Sequence, residues 1–224
     1  NILLKGLLKS GDHVLVSSME HNAVMRPLVQ LARHGVTFDR IPCSADGSLL
    51  IEKAEELLKP NTRLLVCLHA SNVCGTMMPV QKLGEFCKKH GLLFILDTAQ
   101  TAGVIPIDME ALHIDALAFT GHKDLLGLPG VGGLHSVNDL RITPLIQGGT
   151  GIYGDSYVNP QAFPEAYEAG TLNMPAIWAL KNAMEYINEH IAEMNKKESE
   201  LTQYLMKSML ELPNVVVYND DKPR

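Results

Sequence analysis

Apolar residues follow two different spacings along this chain, and the two alternate. Short continuous runs occur at 13–18 (HVLVSS), 36–42 (VTFDRIP), 63–70 (RLLVCLHA), 92–97 (LLFILD), 115–122 (DALAFTGH) and 131–137 (VGGLHSV). Each has the length and apolar continuity of a strand buried on both faces. Between them the spacing becomes helical. Val24, Leu28, Leu31 and Ala32 mark a helix over 22–35 that stops at Gly35, and 49–60 reads as a helix halted by Pro60. The stretch 79–91 opens with Pro79, a residue favoured at the first helical position, and closes with Gly91. Strand, helix, strand, repeated, predicts a mostly parallel sheet flanked by helices on both faces, a three-layer α/β architecture. From Pro175 the pattern changes to one long helix. Ile177, Leu180, Met184, Ile187, Ile191 and Met194 form its stripe, and it is expected to reach about Leu210. A further strand is expected at 214–218 (NVVVY).

Composition excludes several classes of function. The chain has 224 residues, 46% hydrophobic and 20% charged, which suits a soluble globular protein. A net charge of −6 provides no basic surface for nucleic acid. No apolar run approaches the ~20 residues that span a bilayer. Cys43, Cys67, Cys74 and Cys87 lack metal-ligand spacing, so no metal is expected. Reduced thiols in a cytoplasmic protein are the expectation. The glycine-rich run 127–133 (GLPGVGG) lacks the GxGxxG of a dinucleotide site and reads as a turn between strands.

Ligands of open α/β sheets bind beyond the carboxyl ends of the strands. Polar clusters fall there: HASNVCGT (69–76), LDTAQTAG (96–103) and FTGHKDLLG (119–127). Asp97, Gln100, His122 and Lys123 therefore converge on one crevice. Taken singly, each has an ordinary reading. Asp97 suits a turn or helix cap, Gln100 a surface amide, His21 a cap of the helix it precedes, and Lys123 a solvated side chain. Taken together they match one chemistry. A lysine amine forms a Schiff base once desolvation or a neighbouring cation lowers its pKa. Pyridoxal phosphate needs such a lysine, and an acid opposite its ring nitrogen. Asp97 suits the second task, Gln100 can hydrogen-bond the ring 3-oxygen, and His21 can stack on the ring.

The order and spacing of these stretches resemble the class V aminotransferase superfamily (pyridoxal-phosphate fold type I), and within it the cysteine desulfurase and selenocysteine lyase branch. The resemblance is carried by 11–28 (GDHVLVSSMEHNAVMRPL), 69–80 (HASNVCGTMMPV), 96–109 (LDTAQTAGVIPIDM), 119–134 (FTGHKDLLGLPGVGGL), 147–151 (QGGTG) and 167–180 (YEAGTLNMPAIWAL). It implies roles for individual residues. His21 would stack on the cofactor ring, and Asn72 would lie near the 3-oxygen and the substrate. Asp97 would pair with the ring nitrogen and Gln100 with the 3-oxygen. Thr120 and His122 would hold the phosphate, and Lys123 would bind the cofactor covalently. Thr171 would reach the phosphate of a neighbouring subunit, which implies a homodimer.

The implied activity is that of a cysteine desulfurase, moving sulfur from L-cysteine to an enzyme cysteine and releasing L-alanine, with a sulfur-acceptor protein as a possible partner. Transamination or selenocysteine lysis on the same platform, and an inactive dimerising scaffold without cofactor, are the alternatives. The family also implies a threonine-containing phosphate loop ahead of Asn1, and a small C-terminal domain carrying the substrate arginine and a mobile nucleophilic cysteine. On that reading residues 1–210 form the cofactor-binding large domain and 211–224 begin a truncated small one. Such a fragment is expected to be inactive and to hold cofactor weakly. None of the four cysteines replaces the missing nucleophile; Cys74, in the loop that faces the cofactor, reads as a small filler. The run 127–132 (GLPGVG) departs from the family's commoner GPxGxG but keeps the residues a turn needs.

Overall fold

The strands form where the apolar runs predict them: β1 (His13–Ser17), β2 (Thr37–Ile41), β3 (Thr62–Leu68), β4 (Leu93–Asp97), β5 (Ala116–Thr120) and β6 (Gly132–Ser136). The computed structural model describes residues 1–137 and 140–217. Helices α1 (Ile2–Leu7), α2 (Asn22–Ala32), α3 (Ala54–Leu57), α4 (Val80–His90) and α5 (Met174–Leu210) complete the element order. The strands make one sheet in the order β2-β1-β3-β4-β5-β6. All pairings are parallel except β5 with β6, which is antiparallel.

Alternate residues of the central strands serve two cores. Leu15, Leu65, Cys67, Phe94 and Leu96 pack on one face with Ala54 of α3 and Leu83 and Cys87 of α4. Val14, Val16, Leu64, Val66 and Ile95 pack on the other with Leu3, Leu4 and Leu7 of α1 and Val24 and Leu28 of α2. Both faces being covered, the strands read as apolar runs rather than as alternations. The chain leaves β1 for β2 on one side and then returns across β1 to β3 on the other. That reversal opens the crevice in which ligands of such sheets bind.

The structure departs from the sequence reading at four places. The helix expected over 49–60 shrinks to a 3-10 turn (Ile51–Lys53) and the short α3. Leu49 instead forms an antiparallel bridge with Cys43, and the Leu50 N–H donates to the Pro42 carbonyl, so a hairpin takes the first turn of that helix. Pro79 is the residue before α4 rather than its first. Within α5, Leu180 and Ile187 are buried while Ile177 and Met184 are exposed, because the helix meets the body along a narrower stripe than the sequence suggested. Residues 214–217 of the last expected strand form no strand, and Tyr218 lies outside the described residues. A strand needs a ladder partner, and none lies beside them among the described residues. The loop after β5 does turn: the Gly121 N–H donates to the Val131 carbonyl at 2.9 Å, which starts the β5–β6 pairing. Among the described residues no helix is long and apolar enough to cross a membrane.

Candidate functional site

Four strand ends open into one cavity of about 420 Å³, lined among others by His21, Asn72, Asp97, Gln100, Thr120, His122 and Lys123. That volume falls in the ~300–1,000 Å³ range of small-molecule sites. Seven of the eight sequence-predicted residues are thus brought together. They come from four separate stretches: the turn after β1, the loop after β3, the end of β4 and the end of β5.

His21 precedes α2, and its Nδ1 accepts from the Ala23 N–H at 3.1 Å. It therefore is a helix cap, and the cap fixes its ring at the cavity wall. Accepting at Nδ1 leaves the proton of a neutral ring on Nε2. Asp97 is the last residue of β4, in register with Leu68 of β3 and Ala118 of β5. Its Oδ1 accepts from the Ala99 N–H at 2.9 Å. Among the described residues Oδ2 has no protein partner. Thr120 Oγ1 and His122 Nδ1 lie 3.0 Å apart at the end of β5. Lys123 follows, exposed at the cavity mouth. This donor set can hold an anion at Thr120 and His122, a cationic ring nitrogen at Asp97 and a carbonyl carbon at Lys123.

A second layer holds these residues in place. Thr98 donates through its hydroxyl to the Ala118 carbonyl at 2.9 Å, joining the turn after β4 to β5. Buried His69 meets Thr101 at 2.9 Å, joining the same turn to β3. Burial lowers the His69 pKa. Gly103 has φ +97°, and a Cβ there would lie 2.5 Å from the Asp124 carbonyl oxygen. The turn after Asp97 thus presses against the backbone next to Lys123. At Gly127 a Cβ would lie 2.8 Å from the Gly121 carbonyl oxygen and 2.9 Å from a methyl of Leu180, so α5 closes over the Lys123 loop.

Glu20 is a member of this layer that sequence reasoning did not single out. Its Oε1 accepts from the Ser17 hydroxyl at 2.5 Å and from the Leu68 N–H at 2.9 Å. Its Oε2 is buried with no partner. Burial pushes the carboxyl up to about 7, with Asp97 adding to the rise and the two hydrogen bonds opposing it. The only sequence signal was its place between an apolar strand and His21, which does not distinguish a buried carboxyl from a solvated one.

Thr171, expected to serve a neighbouring subunit's phosphate, is exposed just ahead of α5 and lies outside this chain's own cavity. Cys74 falls elsewhere than expected and does not face the cavity. Asn72 does, but the chain then turns, and Cys74 lines a separate cleft of about 650 Å³ with Met19, Asp46, Gly47 and the end of α5. That cleft contains none of the predicted site residues. Burial pushes the Cys74 thiol up, but the hydrogen bonds from Ser71 and Thr76 outweigh it and the net direction is down. Burial raises the other three, Cys87 to about 12.

Comparison with known proteins agrees with this arrangement. The family model for Aminotransferase class-V matches residues 1–224. A probable cysteine desulfurase from Halalkalibacterium halodurans is 31% identical over 224 residues, covering 96% of this chain and 54% of the relative. The apo structure of a cysteine desulfurase from Thermococcus onnurineus NA1 superposes with a TM-score of 0.83 at 28% identity, covering 94% of this chain and 54% of that one. A structure of SspA in complex with cysteine gives a TM-score of 0.71 at 28% identity, covering 81% of this chain and 50% of that one. The chain spans about half the length of the curated relatives it matches. With its whole length matched by one family model and its strand ends converging on one cavity, the chain belongs to the class-V aminotransferase family.

Proposed function

We propose that the intact protein is a pyridoxal-phosphate-dependent cysteine desulfurase, taking sulfur from L-cysteine and releasing L-alanine. The observation that carries this reading is the single cavity in which Lys123, Asp97, Gln100 and His21 meet. The likeness to SspA in complex with cysteine supports the substrate. The residues fit the cofactor on two counts. Asp97 keeps one carboxylate oxygen without a protein partner, where a protonated ring nitrogen needs an acceptor. Thr120, His122 and Lys123 supply a hydroxyl, a ring nitrogen and an amine at the same cavity.

When bound, pyridoxal phosphate supplies an electron sink for charge developing at the substrate α-carbon. Lys123 would hold the cofactor covalently through its amine before substrate binds, and the same amine, once freed, would move a proton at the α-carbon. Asp97 would keep the ring nitrogen protonated, and Gln100 and Asn72 would hydrogen-bond the ring 3-oxygen. His21, held by the α2 cap, would stack on the ring. Thr120 and His122 would hold the phosphate, and Thr171 would serve the phosphate site of a second copy in a homodimer. Residues 1–210 form the cofactor-binding domain, and 211–224 begin a second one that supplies the persulfide-forming cysteine. A sulfur-acceptor protein then takes the sulfur.

The test uses the full-length protein. With pyridoxal phosphate it should show a visible absorbance band and release alanine from L-cysteine. Lys123→Ala should lose both while keeping its melting temperature. A band unchanged in Lys123→Ala refutes the assignment of Lys123. Visible binding without alanine release refutes the desulfurase reaction.

A further inference from the structure

Beneath the cavity lies a carboxyl that the reaction above does not use. Glu20 follows β1 and precedes His21, yet its side chain turns inward to the end of β3. One oxygen takes two donors, Ser17 from β1 and the Leu68 N–H from β3, while the other is buried without a partner. Leu68 itself lines the cavity and stands in register with Asp97. Glu20 thus ties together the end of β1, the edge of β3 that lines the cavity and, through charge, the Asp97 carboxylate.

We propose that Glu20 is a positioning residue of the site, which fixes the turn bearing His21 and releases its proton when a cationic ring nitrogen binds at Asp97; this rests on the cofactor reading above. Two features require it. An anionic carboxyl with one bare buried oxygen is costly, so the ligand-free site keeps a proton on Oε2. Among the described residues the charge that disfavours its ionisation is that of Asp97 on β4, while the neighbouring thiols of Cys67 and Cys43 are themselves kept neutral by burial. A protonated ring nitrogen at Asp97 would offset that carboxylate's charge and so stabilise the Glu20 anion. The proton leaves for solvent. Linkage is reciprocal, so the Glu20 anion in turn strengthens binding of the protonated ring. A carboxyl pushed up by burial to about 7 puts the exchange within the working pH range.

The experiment titrates full-length apoprotein with pyridoxal phosphate from pH 6 to 8, for wild type and Glu20→Gln. The amide keeps an acceptor for Ser17 and Leu68 but cannot ionise. Taking the ratio of the two Kd values cancels every ionisation the two proteins share, that of the cofactor included. The ratio Kd(E20Q)/Kd(wild type) should rise about fivefold over this range for one pK unit of coupling. A flat ratio overturns the inference, since a purely structural glutamate would weaken or spare binding equally at every pH. Infrared difference spectra of wild type carrying ¹³C-glutamate give a second readout that needs no variant. The band of the protonated Glu20 carboxyl should fall when pyridoxal phosphate is added at pH 6.5, and its persistence overturns the inference. If wild type takes up no pyridoxal phosphate, the cofactor reading fails, and this inference fails with it. Binding with a flat ratio refutes this inference alone.

Discussion

Replacing Asp97 by asparagine separates chemistry from folding, because the two oxygens of Asp97 have different tasks. Oδ1 accepts the Ala99 N–H at 2.9 Å. The asparagine carbonyl can keep that bond, and the main-chain bond from the His69 N–H to the Asp97 carbonyl at 2.8 Å does not involve the side chain. The turn after β4 is also held by Thr98 and by His69 with Thr101. The melting temperature should therefore shift by no more than a few degrees. What the variant loses is the charged acceptor at Oδ2. A charge-assisted hydrogen bond contributes ~1.5–3 kcal/mol, and at ~1.4 kcal/mol per factor of ten its loss lowers the rate by about 10- to 150-fold. Loss of ring protonation adds to that. The assay is single-turnover alanine formation by full-length wild type and Asp97→Asn at matched cofactor occupancy, beside thermal melts of both. Turnover within about twofold of wild type would refute the pairing of Asp97 with the ring nitrogen. Equal losses of melting temperature and of rate would show that Asp97 acts only as the cap of its turn.

Three further outcomes follow from the fold. Gly103→Ala should destabilise by more than about 1 kcal/mol in urea unfolding, because φ +97° and a carbonyl oxygen 2.5 Å away both oppose a Cβ; an unchanged midpoint would contradict the close approach to Asp124. Buried His13, whose Nδ1 meets Thr62 Oγ1 at 2.8 Å and whose pKa is lowered chiefly by burial, should cost stability as pH falls through its unfolded value of about 6.5, because the unfolded chain then takes up a proton the folded one resists. Glu20, raised to about 7, works in the opposite direction, its folded form gaining stability as pH falls from 7; the His13 contribution is therefore read as the difference between wild type and His13→Asn, which should shrink as pH falls from 7.5 to 5.5. Of the four thiols Cys74 should react first with a thiol reagent, and Cys67 and Cys87 only on unfolding; mass spectrometry of the labelled peptides decides it.

The sequence by itself determined the layers and pointed to most of the residues that line the cavity. Strands buried on both faces must be apolar throughout, so RLLVCLHA and LLFILD announced a covered parallel sheet before any contact was known. Polar residues at the ends of such strands face the crevice beyond them, which is why Asp97, Gln100, His122 and Lys123 could be gathered from two stretches into one cavity, with Asn72 and Thr120 added by the family resemblance. Local signals failed where a tertiary partner decides the outcome. The hydrophobic run at 49–60 has helical composition, but bonding of Leu50 to Pro42 and of Cys43 to Leu49 claims its first residues for a hairpin. Asn72 and Cys74 are two residues apart in one loop, and only the turn between them sends one to the cavity and the other to a different cleft. His21 reads as a helix cap or as a ring partner, and the folded chain makes it a cap whose ring also lines the cavity. Glu20 is the sharpest case. Nothing in its neighbours says that a glutamate at a strand end is buried; that is settled by Ser17 and Leu68, 3 and 48 residues away, meeting it across two strands. Burial is a property of what packs around a group, and a pattern along the chain carries it only when the same face repeats.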